Sequence, residues 1–200
     1  MSETGPSSPQ PREALLVIPP RFSLTRRRET AKEAQELRRT LRGVLQRIQD
    51  TDAGRAAMAR VRPIIFAGRL PGQWWGALTW RPLILVNPSL AGNAESLMDA
   101  LAHEYGHCLF QVSIGSRIVD SLEQERTAEH LKASIWVERR GREDPEYDKQ
   151  AGWILEQPLE SVYERIRGWG SFYARLPEQQ PRWYEVKKWW PVIRYWLFRR

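Results

Sequence analysis

Three residues of one predicted helix could do metal chemistry: His103, Glu104 and His107 form an HExxH pattern. The helix is predicted over residues 97–110, and a spacing of four residues places both imidazoles on one helical face. Two neutral imidazoles can share a zinc ion that acidifies a bound water, and the adjacent carboxylate can take the proton. The pattern therefore predicts Zn²⁺ held by His103 and His107, with Glu104 as general base.

The same pattern also arises by chance on solvated helices, because it fixes only three positions. Here, however, two of the three histidines of the chain occupy it. Apolar residues at helical spacing predict a buried stripe beside the histidine stripe; these residues are Leu97, Leu101, Tyr105 and Cys108. A metal-binding stripe next to a buried stripe favours a metal site over coincidence.

A catalytic zinc ion needs a third protein ligand, and residues 121–131 offer several. This segment is predicted to open a second helix, with Ser121 as its cap and acidic residues in its first turn. Glu125 belongs on or next to the apolar stripe of that helix, where a carboxylate without a partner would be costly. Spacing alone leaves open an ordinary surface role for Glu125. It also leaves three other candidate ligands, which are Glu123, Glu129 and His130.

Three segments together resemble the ImmA/IrrE family of metallopeptidases: residues 81–90, 101–107 and 125–131. Members of that family typically have a short strand ending near an Asn, an AHExGH helix and a downstream ExxAxxFA helix. The resemblance covers about residues 61–170. Its motifs are moderately specific together and weak singly.

The resemblance implies a role for each matching residue. His103 and His107 are implied to bind zinc, and the first Glu of the downstream motif, Glu125, completes the ligand set. Glu104 is implied to be the general base. Lys132 departs from the family pattern, in which this position usually holds Ala.

The wider pattern predicts an α+β fold, namely a mostly helical zincin-like domain with a small sheet before the HExxH helix. A long amphipathic helix is predicted over residues 25–50, and Thr51 or Asp52 is expected to cap a shorter helix through Val61. Beyond the motif helices, one helix is predicted from Asp144 to Leu155 and another from Pro158 to Ile166.

Two apolar runs of strand length, residues 63–67 and 83–86, predict strands. Together with residues 77–80 they are expected to form a small antiparallel or mixed sheet of two or three strands. By analogy with zincin-like folds, residues 83–87 are expected to be an edge strand on which an extended substrate can pair.

The chain length of 200 residues suits one domain with tails. Residues 1–20 are predicted to be a disordered tail, in which residues 14–18 could instead add a short strand. The rest divides into basic N-terminal helices, a zincin-like domain and a basic, Trp-rich C-terminal segment, which span residues 21–60, 61–170 and 171–200.

The net charge of +7 is concentrated at the two ends of the chain. Residues 181–200 carry six Lys or Arg and four of the ten tryptophans. Core packing is the favoured interpretation of these tryptophans. A surface for nucleic acid or anionic lipid and a surface for a protein partner are the alternatives.

Three features that the sequence lacks indicate the cellular compartment of the protein. Residues 1–10 are polar, so no secretory signal is predicted, and no apolar run is long enough to predict a membrane span. A single cysteine excludes an internal disulfide. The sequence therefore predicts a cytoplasmic protein. It indicates neither an oligomeric state nor a helix-turn-helix module of its own.

The function predicted from these patterns is a zinc-dependent metallo-endopeptidase that hydrolyses a peptide bond in a protein substrate. The resemblance implies that such a substrate is often a helix-turn-helix transcriptional repressor. Two other classes of function compete with this prediction. One is a non-catalytic binding module with a structural or vestigial metal site, and the other is a protein that binds nucleic acid or anionic surfaces through its basic termini.

Overall fold

The computed structural model describes residues 15–17, 31–67, 77–80, 83–115, 121–179, 185 and 190. Within this part of the chain the fold is α+β and mostly helical, with one small sheet, as predicted. The helices are α1 (Ala31–Gln49), α2 (Asp52–Arg60), α3 (Ala94–Ser113), α4 (Leu122–Arg140) and α5 (Leu159–Arg167). The strands are β1 (Leu15–Val17), β2 (Ile64–Ala67), β3 (Ala77–Trp80) and β4 (Leu83–Val86). Short 3₁₀ turns span Pro88–Gly92, Gly152–Leu155 and Tyr173–Arg175.

The four described strands form a mixed sheet in the order β1-β2-β4-β3. The strands β1, β2 and β4 run parallel, and β3 is antiparallel to β4. A mixed sheet is confirmed, but it has one strand more than the upper number predicted. The extra strand is β1, which confirms the strand alternative for residues 14–18 over Leu15–Val17. The remainder of the predicted tail lies outside the described residues.

The expected edge position of residues 83–87 is wrong. Ile84 of β4 pairs with Ile65 of β2 on one side and with Thr79 of β3 on the other, so β4 is an interior strand. A continuous apolar run such as that of β4 is typical of a strand covered on both faces and paired on both edges. The outer strand next to β4 is β3.

The main core lies between the sheet and the helices α1 and α3. The apolar positions of α1 are buried at helical spacing, and these are Leu37, Leu41, Val44 and Ile48. They pack in one cluster with Ile65, Ile84 and the apolar stripe of α3. Because α3 contacts α1, α2, α4 and β3, the HExxH helix is held from several sides.

The two N-terminal helices follow the prediction where they are described. The helix α1 begins at Ala31, and residues 25–30 of its predicted span lie outside the described residues. Of the two candidate caps of α2, Thr51 is the one used, since its hydroxyl accepts a hydrogen bond from the backbone N–H of Gly54 at 3.1 Å. The helix α2 then ends at Arg60, beside Val61.

The helix predicted from Asp144 to Leu155 does not form. The Asp144 carboxylate accepts the backbone N–H of Glu146 as a cap would, but consecutive turns follow, and only Gly152–Leu155 make a 3₁₀ turn. Ala151 has a left-handed φ of 58°, which interrupts a helix. The ring of Tyr147 packs where a Cβ on Gly152 would lie, at 2.2 Å. Packing of this aromatic ring against the backbone therefore outweighs the helix propensity of the segment.

The helix predicted from Pro158 is confirmed as α5, which runs from Leu159 to Arg167. Its core-facing side packs in a second, smaller cluster with the start of α4 and with the 3₁₀ turn at 152–155. The residues of that side are Val162, Tyr163 and Ile166.

The C-terminal segment contacts the start of α4 through its backbone. The carbonyls of Pro177 and Glu178 accept hydrogen bonds from the N–H groups of Leu122 and Glu123, at 2.8 and 3.0 Å. Most of residues 180–200 lie outside the described residues, including three of the four tryptophans, while Trp190 is 51% exposed. A search of the described helices finds none with the length and apolar character needed to cross a bilayer.

Candidate metal centre

The HExxH residues lie in the middle of α3, whose start is fixed by a local cap. Asn93 accepts hydrogen bonds from the backbone N–H groups of Glu95 and Ser96, both at 3.1 Å. The predicted apolar stripe of this helix is buried at all four positions, which were Leu97, Leu101, Tyr105 and Cys108. With that stripe in the core, the neighbouring histidine stripe faces α4.

The helices α3 and α4 approach each other closely at two small residues. A Cβ added to Gly106 would lie 2.4 Å from the Cα of Ala128, so only glycine fits there. The helix α4 is capped by Ser121, whose hydroxyl accepts a hydrogen bond from the backbone N–H of Gln124 at 3.1 Å, as predicted. This close approach brings Glu125, one turn before Ala128, and Glu129, directly after it, within reach of the histidines.

Three of the predicted ligands converge at this crossing. One donor atom from each of His103, His107 and Glu125 lies within 4.8 Å of the others. The two Nε2 atoms are 2.9 Å apart. The Glu125 carboxylate oxygens lie 3.6 Å from Nε2 of His103 and 3.8 Å from Nε2 of His107. We call these three residues the donor cluster.

The donor cluster fits a zinc ion. Donors about 2.0–2.1 Å from a tetrahedral zinc ion lie about 3.3 Å from one another, and the observed separations bracket that value. Two imidazoles and one carboxylate are also a ligand set that catalytic zinc sites use, leaving a fourth position for water. The side chain of His103 is 20% exposed, whereas those of His107 and Glu125 are 9% and 6% exposed. Access to the cluster is therefore from the His103 side.

Buried carboxylates give the two imidazoles different proton affinities. Desolvation alone would lower the pKa of His103, but its contact with Glu129 and the charges of Glu125 and Glu104 raise this pKa to about 9. Burial and the neighbouring charge of His103 lower the pKa of His107 well below its ordinary value. Without a metal at neutral pH, the two imidazoles together thus carry one positive charge, which is on His103. A metal ion bound between the donor atoms would replace that charge, because a ligating imidazole must be neutral.

Glu104 is buried next to the first ligand. Its side chain lies close enough for its charge to raise the pKa of His103. Its backbone carbonyl accepts a hydrogen bond from the hydroxyl of Thr79 in β3 at 3.0 Å, which ties the HExxH turn to the outer strand of the sheet. A carboxylate so placed can serve as an acceptor for a proton released beside the donor cluster.

The other candidate ligands lie elsewhere. Glu123 is half-buried in the first turn of α4 and forms no ion pair with either motif histidine. His130 is exposed on a different face of the helix. Glu129 contacts His103, but at Nδ1, which is the nitrogen on the far side of the ring from the donor cluster, at 2.8 Å.

Sequence reasoning did not find the partner of Glu129. The ammonium of Lys132 lies 2.5 Å from the second carboxylate oxygen of Glu129. Burial would raise the pKa of Glu129, but His103 and Lys132 together hold it at about 2. The spacing of Glu125, Glu129 and Lys132, at one helical turn each, is the signal that could have indicated this chain of contacts.

Comparison of the chain with models of known protein families, with curated proteins and with solved structures gave no match. The resemblance to the ImmA/IrrE family therefore stays a prediction that depends on the motifs. The donor cluster is defined by the distances between its three residues and does not depend on that resemblance.

Proposed function

We propose that this protein is a zinc-dependent metallo-endopeptidase. The observation that carries the proposal is the convergence of His103, His107 and Glu125 within 4.8 Å, from two helices, beside a buried glutamate. A zinc ion held by this cluster would supply Lewis-acid chemistry, lowering the pKa of water and polarising a peptide carbonyl. The sequence motif supplies two of the three converging residues, and the packing of α4 against α3 supplies the third.

In this proposal Glu104 moves the proton. Its carboxylate accepts a proton from the water as the oxygen attacks the peptide carbonyl carbon. As the carbon–nitrogen bond breaks, Glu104 delivers the same proton to the leaving amine, so that a carboxylic acid and an amine are released. Glu104 is buried and its charge reaches His103, so its carboxylate lies beside the donor cluster.

The outer strand β3 is the proposed binding site for the substrate backbone. Thr79 of β3 is hydrogen-bonded to the carbonyl of Glu104, so the strand runs beside the HExxH turn. An extended peptide that paired with β3 would present its carbonyl groups next to Glu104. This assigns to β3 the role that the sequence had suggested for residues 83–87. A helix-turn-helix repressor is the protein substrate that the family resemblance predicts.

The first test compares wild type, Glu104→Gln and His107→Ala. Zinc content is measured by elemental analysis, and cleavage is measured on a proteome-derived peptide library by mass spectrometry of new peptide ends. We expect about one zinc per chain in wild type and in Glu104→Gln, and much less in His107→Ala. Cleavage by Glu104→Gln should fall roughly 10²- to 10⁴-fold, because the proton acceptor is gone.

Glu123→Gln is the matched control, since it removes a carboxylate from α4 that forms no ion pair with either motif histidine. It should leave zinc content and cleavage unchanged. Zinc bound without any cleavage by wild type would point instead to a non-catalytic metal module. A folded wild type that takes up no zinc would end the proposal.

A further inference from the structure

His103 lies between two carboxylates of α4, and they contact opposite sides of its ring. Glu125 lies 3.6 Å from Nε2, on the side of the donor cluster. Glu129, one turn later, lies 2.8 Å from Nδ1. Because Nδ1 and Nε2 point in different directions, only the nitrogen beside Glu125 can join a metal shared with His107. Glu129 is thereby removed from the ligand set and left in contact with a ligand.

Glu129 is itself fixed by a second contact. One carboxylate oxygen lies at His103, and the other lies 2.5 Å from the ammonium of Lys132. The side chains of Glu129 and Lys132 are only 7% and 14% exposed. A pair that served only solubility would lie in water, where both long side chains are free to rotate. Here burial and two contacts restrict the carboxylate to one position.

A neutral imidazole can bind a metal through only one nitrogen, and the partner of the other nitrogen decides which. An acceptor at Nδ1 keeps the proton there and leaves the lone pair on Nε2. We propose that Glu129 is a positioning residue that accepts the Nδ1–H of His103 and so holds Nε2 toward the donor cluster. Lys132 keeps Glu129 in that position. The inference rests on the metal-binding part of the proposed function and is independent of peptide cleavage.

Lys132 thereby gains an explanation. It is the position at which the chain departs from the motif pattern that it otherwise resembles, and an ammonium in a mostly buried position needs a charged partner. Glu129 provides that partner, while the same carboxylate provides the acceptor for His103. The two residues act as one unit beside the metal ligand.

Cobalt(II) is the probe for the test, because tetrahedral Co²⁺ has a visible absorption spectrum. The zinc-free 200-residue chain is titrated with CoCl₂ as wild type, Glu129→Gln, Glu129→Asp and the control Glu123→Gln. We expect Glu129→Gln to weaken Co²⁺ binding about 10- to 100-fold, which is the usual effect of losing such a partner of a ligand. The control should stay within about twofold of wild type, since Glu123 does not contact His103.

Glu129→Asp separates the contact from the charge. Aspartate keeps the negative charge but is one methylene shorter and withdraws from Nδ1. Weakened binding in Glu129→Asp supports positioning, whereas wild-type binding there, with weakening only in Glu129→Gln, would assign the effect to charge and overturn the inference. In addition, Lys132→Met should change the Co²⁺ affinity in the wild-type background and leave it unchanged in Glu129→Gln.

A spectroscopic readout follows the proton directly. In zinc-loaded wild type, proton NMR should show a slowly exchanging imidazole N–H that is missing in Glu129→Ala. Far-ultraviolet circular dichroism of each variant confirms that the helices are intact. Variants of Glu129 that bind Co²⁺ like wild type would overturn the inference while leaving the metal site in place. A wild type that binds no Co²⁺ would overturn the proposed function as well, so the two failures are distinguishable.

Discussion

The helix pair α3–α4 carries two clusters of charged residues, and they differ in burial. One is the donor cluster, where the carboxylate of Glu125 is 6% exposed. The other, which we call the Glu95 cluster, lies at the start of α3 and the end of α4. In it, Glu95 is 36% exposed and contacts three arginines at 3.0 to 3.8 Å. These arginines are Arg47, Arg139 and Arg140.

The two clusters differ in the source of the positive charge that balances the carboxylate. In the Glu95 cluster three guanidinium groups of the protein already surround one carboxylate, and water screens the rest. In the donor cluster the carboxylate of Glu125 is desolvated and its neighbours are imidazoles, which can offer lone pairs. A proton or a metal ion must then provide the positive charge. A glutamate on this helix pair therefore forms structural ion pairs in one place and belongs to a candidate ligand set in the other.

The sharpest test of this comparison removes the buried carboxylate. Glu125→Ala should weaken zinc binding by at least about a hundredfold, because it deletes one of three protein ligands from a site of high apparent affinity. The apparent zinc affinity is measured by competition with a chromophoric chelator. The loss should be seen with the fold intact.

The corresponding change in the exposed region is Glu95→Gln, which should leave zinc affinity within about twofold of wild type because Glu95 holds no donor position. Retention of full zinc affinity by Glu125→Ala would show that Glu125 is not a ligand. The distinction between the two clusters would then have no chemical meaning.

Asp99 sharpens the comparison because it lies on α3 one turn after Glu95 and one turn before His103. Burial, reinforced by the charges of Glu95 and Glu129, raises the pKa of Asp99 to about 6, although Lys132 opposes the shift. A carboxyl whose folded pKa exceeds its unfolded value costs stability above that pKa. The cost fades as pH falls from about 6 towards 4.

Asp99→Asn should therefore stabilise the metal-free protein at pH 8 by about 1–2 kcal/mol, after discounting for partial exposure. At pH 4 the gain should nearly vanish. Urea unfolding of wild type and variant with EDTA, at both pH values, measures the difference. An equal effect at both pH values would show that Asp99 is not desolvated and resembles the Glu95 cluster in its solvation.

The local features of this site follow from the sequence alone. The HExxH helix, its apolar stripe and the Ser121 cap of α4 were all predicted, because each depends on residues within one or two helical turns. The same reasoning left Thr51 and Asp52 as candidate caps of α2, and the structure selects Thr51. Features that depend on neighbours in sequence are those that a pattern can specify.

Features that depend on neighbours in space could not be predicted in the same way. Glu125 and Glu129 are one turn apart, so their spacing could not decide which reaches Nε2 and which reaches Nδ1 of His103; the close approach at Gly106 decides it. The interior place of β4 likewise depends on how strands far apart in sequence pair. The failed helix at 144–155 is a case where packing of one aromatic ring outweighs local propensity.

The smallest change in stability is expected for a substitution in the Glu95 cluster. The hydrogen bond from Arg139, with the charges of the other arginines, lowers the pKa of Glu95 despite partial burial. A depressed folded pKa means that the carboxylate stabilises the fold above its unfolded pKa, and that this contribution is lost as pH falls through the folded pKa. Because Glu95 is 36% exposed, Glu95→Gln should cost less than about 1 kcal/mol at pH 7.

Salt provides the test of this small effect. The cost of Glu95→Gln, measured by urea unfolding at pH 7, should shrink as NaCl is raised to 1 M, because water and ions screen exposed pairs. The pH-dependent effect of Asp99→Asn should persist in the same salt, since desolvation rather than long-range attraction causes it. A large and salt-insensitive loss in Glu95→Gln would mean that its arginines depend on that carboxylate for burial. The two clusters would then differ in the groups that contact the glutamate, which are guanidinium groups or imidazoles, and no longer in their solvation.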